Sequence, residues 1–201
     1  MSADTRQRML EATARLVRER GYSGTSLNAI LVASEAPRGS LYYHFPGGKD
    51  DLVAEVTEAS IDQVTAALTT IMEAEERPSQ AVRRIFEATA DMLRGNQFRE
   101  GCPVAPIVLD GTEGIPELAS ITRNAFETWI GIIADGFERR GIPAGRARRL
   151  AILVESAIEG LMVIARATSD TGPLDAVVEE LAALLDCAVV DGTLGGHRGQ
   201  V

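Results

Sequence analysis

Cysteine and histidine are scarce in this chain, two of each: Cys102, Cys187, His44 and His197. So few thiols make neither a disulfide framework nor a zinc site, and metal chemistry is short of ligands. Long hydrophobic runs are also missing. Runs such as Leu150 to Val154 and Leu181 to Leu185 are stopped by Glu155 and Asp186, well short of the roughly 20 residues of a membrane span. Met1 to Gln7 is polar and has no apolar signal region. The expectation is a soluble, cytoplasmic protein without a membrane partner. Sustained period-two alternation of β-branched residues is absent too, so no strands are expected. Catalytic constellations are lacking as well. There is no His–Cys cluster and no paired-carboxylate motif, and Gly47-Gly48-Lys49 lacks the rest of a phosphate-binding P-loop. Neither an enzyme nor a cofactor is expected, and a turnover screen is the check on that reading.

What the chain does have is enough apolar material for a core: 45% of its 201 residues are hydrophobic. Its formal net charge of −9 opposes a nonspecific nucleic-acid coat, but the charge is unevenly spread. Residues 1–50 hold seven Lys/Arg against five Asp/Glu, a net of +2. Residues 51–201 hold thirteen against twenty-four, a net of −11. A slightly basic head on an acidic body turns the head toward a polyanion. The acidic body opposes a structural nucleoid protein; a gel shift on random against promoter DNA separates that reading from a specific regulator.

Nearly every segment reads as helix. Leu10, Ala14 and Val17 recur at helical spacing in a first helix from Asp4 to Arg20, ended by Gly21. Thr25 is the expected N-cap of a second helix over 26–34, with Leu27, Ile30 and Leu31 on its buried face. Pro37 opens a third, which Pro46-Gly47-Gly48 ends near His44. Lys49 to Glu75 forms a long fourth helix, and prolines mark the starts of the rest. Pro78 begins the fifth, Pro103 the sixth, Pro116 the seventh, Pro143 leads into an eighth over 144–168, and Pro173 opens a ninth to about Val190. The Gly-rich segment 192–201 is expected to fray into a flexible tail.

Two short helices joined by a tight turn and braced by a preceding helix make a helix-turn-helix. The third helix reads Pro37-Arg38-Gly39-Ser40-Leu41-Tyr42-Tyr43-His44-Phe45. Leu41 and Phe45, four apart, face the core. Arg38, Gly39, Ser40, Tyr42, Tyr43 and His44 are left for the outside. A short helix of this kind enters the major groove, where an arginine makes a bidentate contact to guanine and a glycine lets backbone approach closely. From pattern alone, a small helical hairpin whose aromatics merely pack remains an open alternative.

The string Gly39-Ser40-Leu41-Tyr42-Tyr43-His44-Phe45, following Gly21-Tyr22 and Thr25-Ser26-Leu27 and followed by Lys49, resembles the tetracycline-repressor (TetR) family of bacterial regulators. The resemblance covers residues 5 to about 55. Ala36-Pro37-Arg38-Gly39-Ser40, Phe45-Pro46-Gly47-Gly48-Lys49 and Gly101-Cys102-Pro103 narrow it to the LmrA/YxaF-type branch. The resemblance implies an all-α protein: a three-helix DNA-binding domain (1–48) and a six-helix ligand-binding and dimerisation domain (49–191). It implies double-stranded DNA with a palindromic operator as partner. Thr25, Tyr42, Tyr43, His44 and Lys49 would bind phosphates, and Arg38, Gly39 and Ser40 would face bases. Lys49 is the only lysine in the chain, and in the first turn of a helix it opposes the dipole, which a phosphate partner would help explain. Glu35 departs from the pattern: many relatives have glycine in this turn, and a glutamate there is strained if φ is positive.

Beyond residue 50 the residues carry the reading. Leu150, Leu153, Val154, Ala157, Leu161 and Ile164 form an apolar stripe on the eighth helix, and Val177, Val178, Leu181, Leu184, Leu185 and Ala188 one on the ninth. With Ser156, Ala157 and Gly160 allowing close approach, these two helices are expected to form a homodimer's four-helix interface. The alternative is that both stripes pack inside one chain. Ligand sites are apolar with a few polar anchors. Phe86, Phe98, Cys102, Phe126, Trp129 and Met162 are the candidate walls for a small apolar or aromatic inducer, though each also fits ordinary core packing. Cys102 stands before Pro103 at an expected helix start, where a dipole lowers a thiol pKa; the alternatives are a redox sensor and a small buried residue beside a pocket.

Overall fold

The computed structural model describes residues 2–111 and 115–195. Among the described residues are nine helices and no strand: α1 (Ser2–Arg20), α2 (Leu27–Ser34), α3 (Arg38–His44), α4 (Lys49–Ala74), α5 (Pro78–Gly95), α6 (Ala105–Leu109), α7 (Pro116–Arg139), α8 (Ala144–Thr168) and α9 (Gly172–Gly195). No described helix is long and apolar enough to cross a membrane.

Local chemistry sets these boundaries, in places differently from the sequence expectation. Ser26, not Thr25, caps α2: its Oγ accepts the Ala29 N–H at 3.1 Å, the usual N-cap geometry. Pro37 is the extended residue before α3 rather than its first helical one. Its fixed φ suits either place. α9 continues to Gly195, through the start of the segment expected to fray. One interior glycine costs a helix only about 1 kcal/mol, too little to end it. The remainder of that segment, residues 196–201, lies outside the described residues.

Two compact units emerge. The first comprises residues 1–64 and 99–125, the second 65–98 and 126–201. In the first, α1 packs on α2, α3 and α6. Met9, Leu16, Ile30, Leu41, Phe45 and Leu52 form one apolar cluster. A second joins Val17 and Val53 to Ile107 and Leu118, so segment 99–125 supplies part of this unit's core. Fully burying a side chain the size of Leu41 or Phe45 contributes roughly 1.5–3 kcal/mol. Those two anchors decide which side of α3 points outward.

In the second unit, α5 lies along α9 and both contact α8. α5 buries Ala81, Val82, Ile85, Phe86, Ala90 and Leu93 on one face. Ser79 donates to Asp186 at 2.7 Å and Arg94 to Thr171 at 2.9 Å. The Arg140 guanidinium donates to the carbonyls of Met72, Glu75 and Gly136, so the last carbonyls of α4, which have no helical partner, are satisfied by a cation.

The stripes of α8 and α9 divide between inside and outside. Leu150, Val154 and Leu161 on α8 and Val178, Leu181, Leu185 and Ala188 on α9 are buried within the chain. Leu153, Ile164 and Leu184 are exposed, together with Ile152 and with Val163, the last of them 64% exposed. A partner helix therefore has only the outer set to meet.

Candidate DNA interface

The second helix of the helix-turn-helix, α3, begins after a strained turn. Glu35 has φ 51°, in the left-handed region. The Ala36 N–H reaches back to the Leu31 carbonyl at 3.1 Å and the Glu35 N–H to Val32 at 3.3 Å. This is a Schellman motif, whose left-handed position normally belongs to glycine. The chain adopts the positive φ and carries the strain, on the order of 1 kcal/mol.

From that turn α3 presents its outer side. Arg38 and Gly39 are exposed and Ser40 half-buried. Tyr42 is 53% and Tyr43 77% exposed, and His44 is half-buried with its ring edge-on to Tyr43, centroids 4.9 Å apart. Two tyrosines this open are not core. Gly39 is informative by what surrounds it: a Cβ built there meets nothing within 4 Å. Nothing in the fold requires glycine at a helical position where alanine is favoured.

The other two expected phosphate ligands are placed differently. Thr25 is fully buried, and its hydroxyl donates to the Gly21 carbonyl at 2.8 Å. It does not share the exposed face; a hydroxyl that satisfies a helix-end carbonyl is drawn inward, and Ser26 is the exposed neighbour. Lys49 is half-buried. Its Nζ donates to the Tyr22 carbonyl at 2.7 Å and lies 3.6 Å from the Tyr22 ring centroid. Burial lowers its pKa, while Asp50 and Asp110 act in the opposite sense. Tyr22 donates its hydroxyl to Asp50 at 2.5 Å; burial and this carboxylate push its pKa up to about 12. Asp110, at the end of α6, accepts the Ser23 N–H at 2.8 Å. Lys49 is thus held by a small polar network around the α1–α2 turn. Arg18 and Glu100 form a further ion pair in this unit.

The expected ligand walls are less unified. Phe86, Trp129 and Met162 are buried in the second unit. The Trp129 indole N–H donates to Thr65 at 3.1 Å, and Phe126, half-buried, meets the Trp129 ring edge-on at 5.6 Å. Phe98, half-buried, follows the left-handed Gln97 in the turn closing α5 and is itself left-handed, φ 59°; its carbonyl accepts from Arg166 at 3.4 Å. Cys102 belongs to the first unit, buried, its Sγ accepting the N–H groups of Val104 and Ala105 at 3.3 Å each. Two clefts of about 320 and 360 Å³ lie in the first unit and are lined by none of these six residues.

A helix-turn-helix with a polar, aromatic outer face on an otherwise all-helical chain defines a DNA-binding regulator. Residues 9–56 match the bacterial regulatory proteins of the tetR family, and residues 78–180 the LmrA/YxaF-like transcriptional regulator C-terminal domain. An uncharacterised HTH-type transcriptional regulator of Mycobacterium tuberculosis is 36% identical over 185 residues, covering 90% of this chain and 93% of that protein. The HTH-type transcriptional regulator LmrA of Bacillus subtilis is 29% identical over 171 residues, 85% of this chain and 91% of LmrA. Among solved structures, a cysteine mutant of the TetR-family regulator CifR, complexed with a 26-base-pair operator DNA, is 25% identical with a TM-score of 0.76; the match covers 87% of this chain and 94% of that one. The chain belongs to the TetR family, in its LmrA/YxaF-like branch, and is a DNA-binding transcriptional regulator. Its relatives are named as regulators, not as enzymes.

Proposed function

We propose that the protein is a cytoplasmic homodimeric repressor that a small hydrophobic or aromatic molecule releases from a palindromic operator. Residues 1–48 read DNA, and residues 49–191 bind the ligand and dimerise. On DNA, Arg38, Gly39 and Ser40 meet base edges while Tyr42, Tyr43, His44 and Lys49 hold phosphates. Lys49 keeps two N–H donors beyond the one given to Tyr22, so its place in the turn does not exhaust it. The observation that carries the dimer is the outer face of α8, where Ile152, Leu153, Val163 and Ile164 are exposed around Ser156 and Gly160. A contiguous exposed apolar face on a helix marks an interface, and a two-fold axis through such a face would place two reading heads for two half-sites.

Ligand and operator are coupled reciprocally: a molecule that prefers the non-DNA state lowers operator affinity by the factor by which operator lowers its own. The experiment is a joint titration of planar aromatic compounds, following Trp129 emission and a fluorescent operator together. A hit is expected to weaken operator binding about 5- to 150-fold, corresponding to about 1–3 kcal/mol of coupling. A compound that quenches Trp129 yet leaves operator affinity unchanged contradicts release. Absence of any hit favours a co-repressor or a redox signal at Cys102.

A further inference from the structure

α8 buries nine residues on its inward face, and one of them is charged: Glu155. Ala151, four residues before it, and Ile158 and Met162, three and seven after, lie on the same side of the helix. The glutamate is 7% exposed, and among the described residues it has neither a hydrogen-bond donor nor a cation as partner. Burial, and then the like charge of Glu159 one turn on, push its carboxyl up to about 7. A carboxylate in apolar surroundings beside a second carboxylate is unfavourable for folding by itself. An opposite charge brought into contact with it reverses that balance, because attraction is strong where water is excluded. Glu155 also lies on the opposite side of α8 from Ile164, nine residues and two and a half turns away, so a partner subunit docked on the outer face would not supply that charge.

We propose that Glu155 is the polar anchor of the C-terminal ligand site and selects apolar ligands that carry a positive charge. This rests on the reading of residues 49–191 as ligand-binding. It sharpens the inducer class from apolar or aromatic to lipophilic cation.

The test compares two isosteric three-ring probes without hydrogen-bonding groups, methyltriphenylphosphonium and neutral 1,1,1-triphenylethane, by calorimetry and Trp129 quenching on the full-length protein. Wild type is expected to bind the cation roughly tenfold or more tightly than the neutral probe, from charge attraction where water is excluded. Glu155→Gln removes that preference; Glu155→Asp, which keeps the charge, retains part of it. Circular dichroism confirms that both variants fold. Equal binding of the two probes by wild type, or a preference that survives in Glu155→Gln, overturns the inference and leaves the ligand reading standing. Binding of neither probe also overturns it, and the ligand reading is then judged by the planar aromatic panel alone.

Discussion

Replacing Glu155 by glutamine is expected to stabilise the protein, and to do so only where the acid is ionised. The folded carboxyl is raised from an ordinary 4.5 to about 7. Between those values the folded state binds more protons than the unfolded one, so stability falls as pH rises through them. Below about 4.5 both states are protonated and nothing is lost; above 7 the whole penalty is present. A tenfold difference in proton affinity between the two states corresponds to about 1.4 kcal/mol, so the ceiling is about 3 kcal/mol. In a chain of this length that is roughly 6–12 °C in Tm. Glutamine has nearly the same shape and cannot ionise. Thermal unfolding at pH 8, at fixed salt and protein concentration, should show Glu155→Gln several degrees above wild type. At pH 5 the gap should shrink to under about a third of that. An equal gap at both pH values, or a lower Tm at pH 8, refutes the reasoning, since neither outcome follows from a buried ionising acid.

Gly39→Ala should leave urea stability unchanged or raise it by up to about 1 kcal/mol, because its Cβ meets nothing in the fold, yet weaken operator binding about tenfold or more in fluorescence anisotropy; a loss of fold stability would place the glycine's role inside the protein. Glu35→Gly should stabilise by roughly 0.5–1 kcal/mol by relieving the left-handed φ, without altering sequence preference. A charge at Ile164, exposed on the outer face of α8, should convert a sedimenting dimer to a folded monomer, whereas a charge at buried Leu161 should unfold the chain; a dimeric Ile164→Asp would move the interface elsewhere. Lys49→Ala should weaken all DNA sequences alike and reduce the salt slope by about one.

Much of the fold was written in single residues. α8 starts where Pro143 leads into it, and α7 begins at Pro116. The outer side of α3 was legible because Leu41 and Phe45, four apart, commit one face to the core and leave the tyrosines outside. Periodicity does not tell which apolar stripe faces a chain's own core and which faces a second chain, so Leu161 and Leu153 looked alike in sequence. Adjacent hydroxyls compete for a cap, and the sequence favoured Thr25 where the backbone chose Ser26. The contact of Asp110 with Ser23 spans 87 residues and leaves no local trace. Glu155 did leave one: it stands in phase with Ala151, Ile158 and Met162, an acid on an apolar face, though in sequence it looks only like the end of a hydrophobic run.

The reading of α3 as the specificity element of a two-fold regulator is tested most directly by selecting bound sequences from random duplex DNA with wild type and with Arg38→Ala in parallel. Wild type should enrich a palindrome of two half-sites, and Arg38→Ala should lose preference at one symmetric position in each half, a change of about 1–3 kcal/mol there, while the rest of the site is kept. A wild-type selection without a palindrome, or an Arg38→Ala profile identical to wild type, would contradict it.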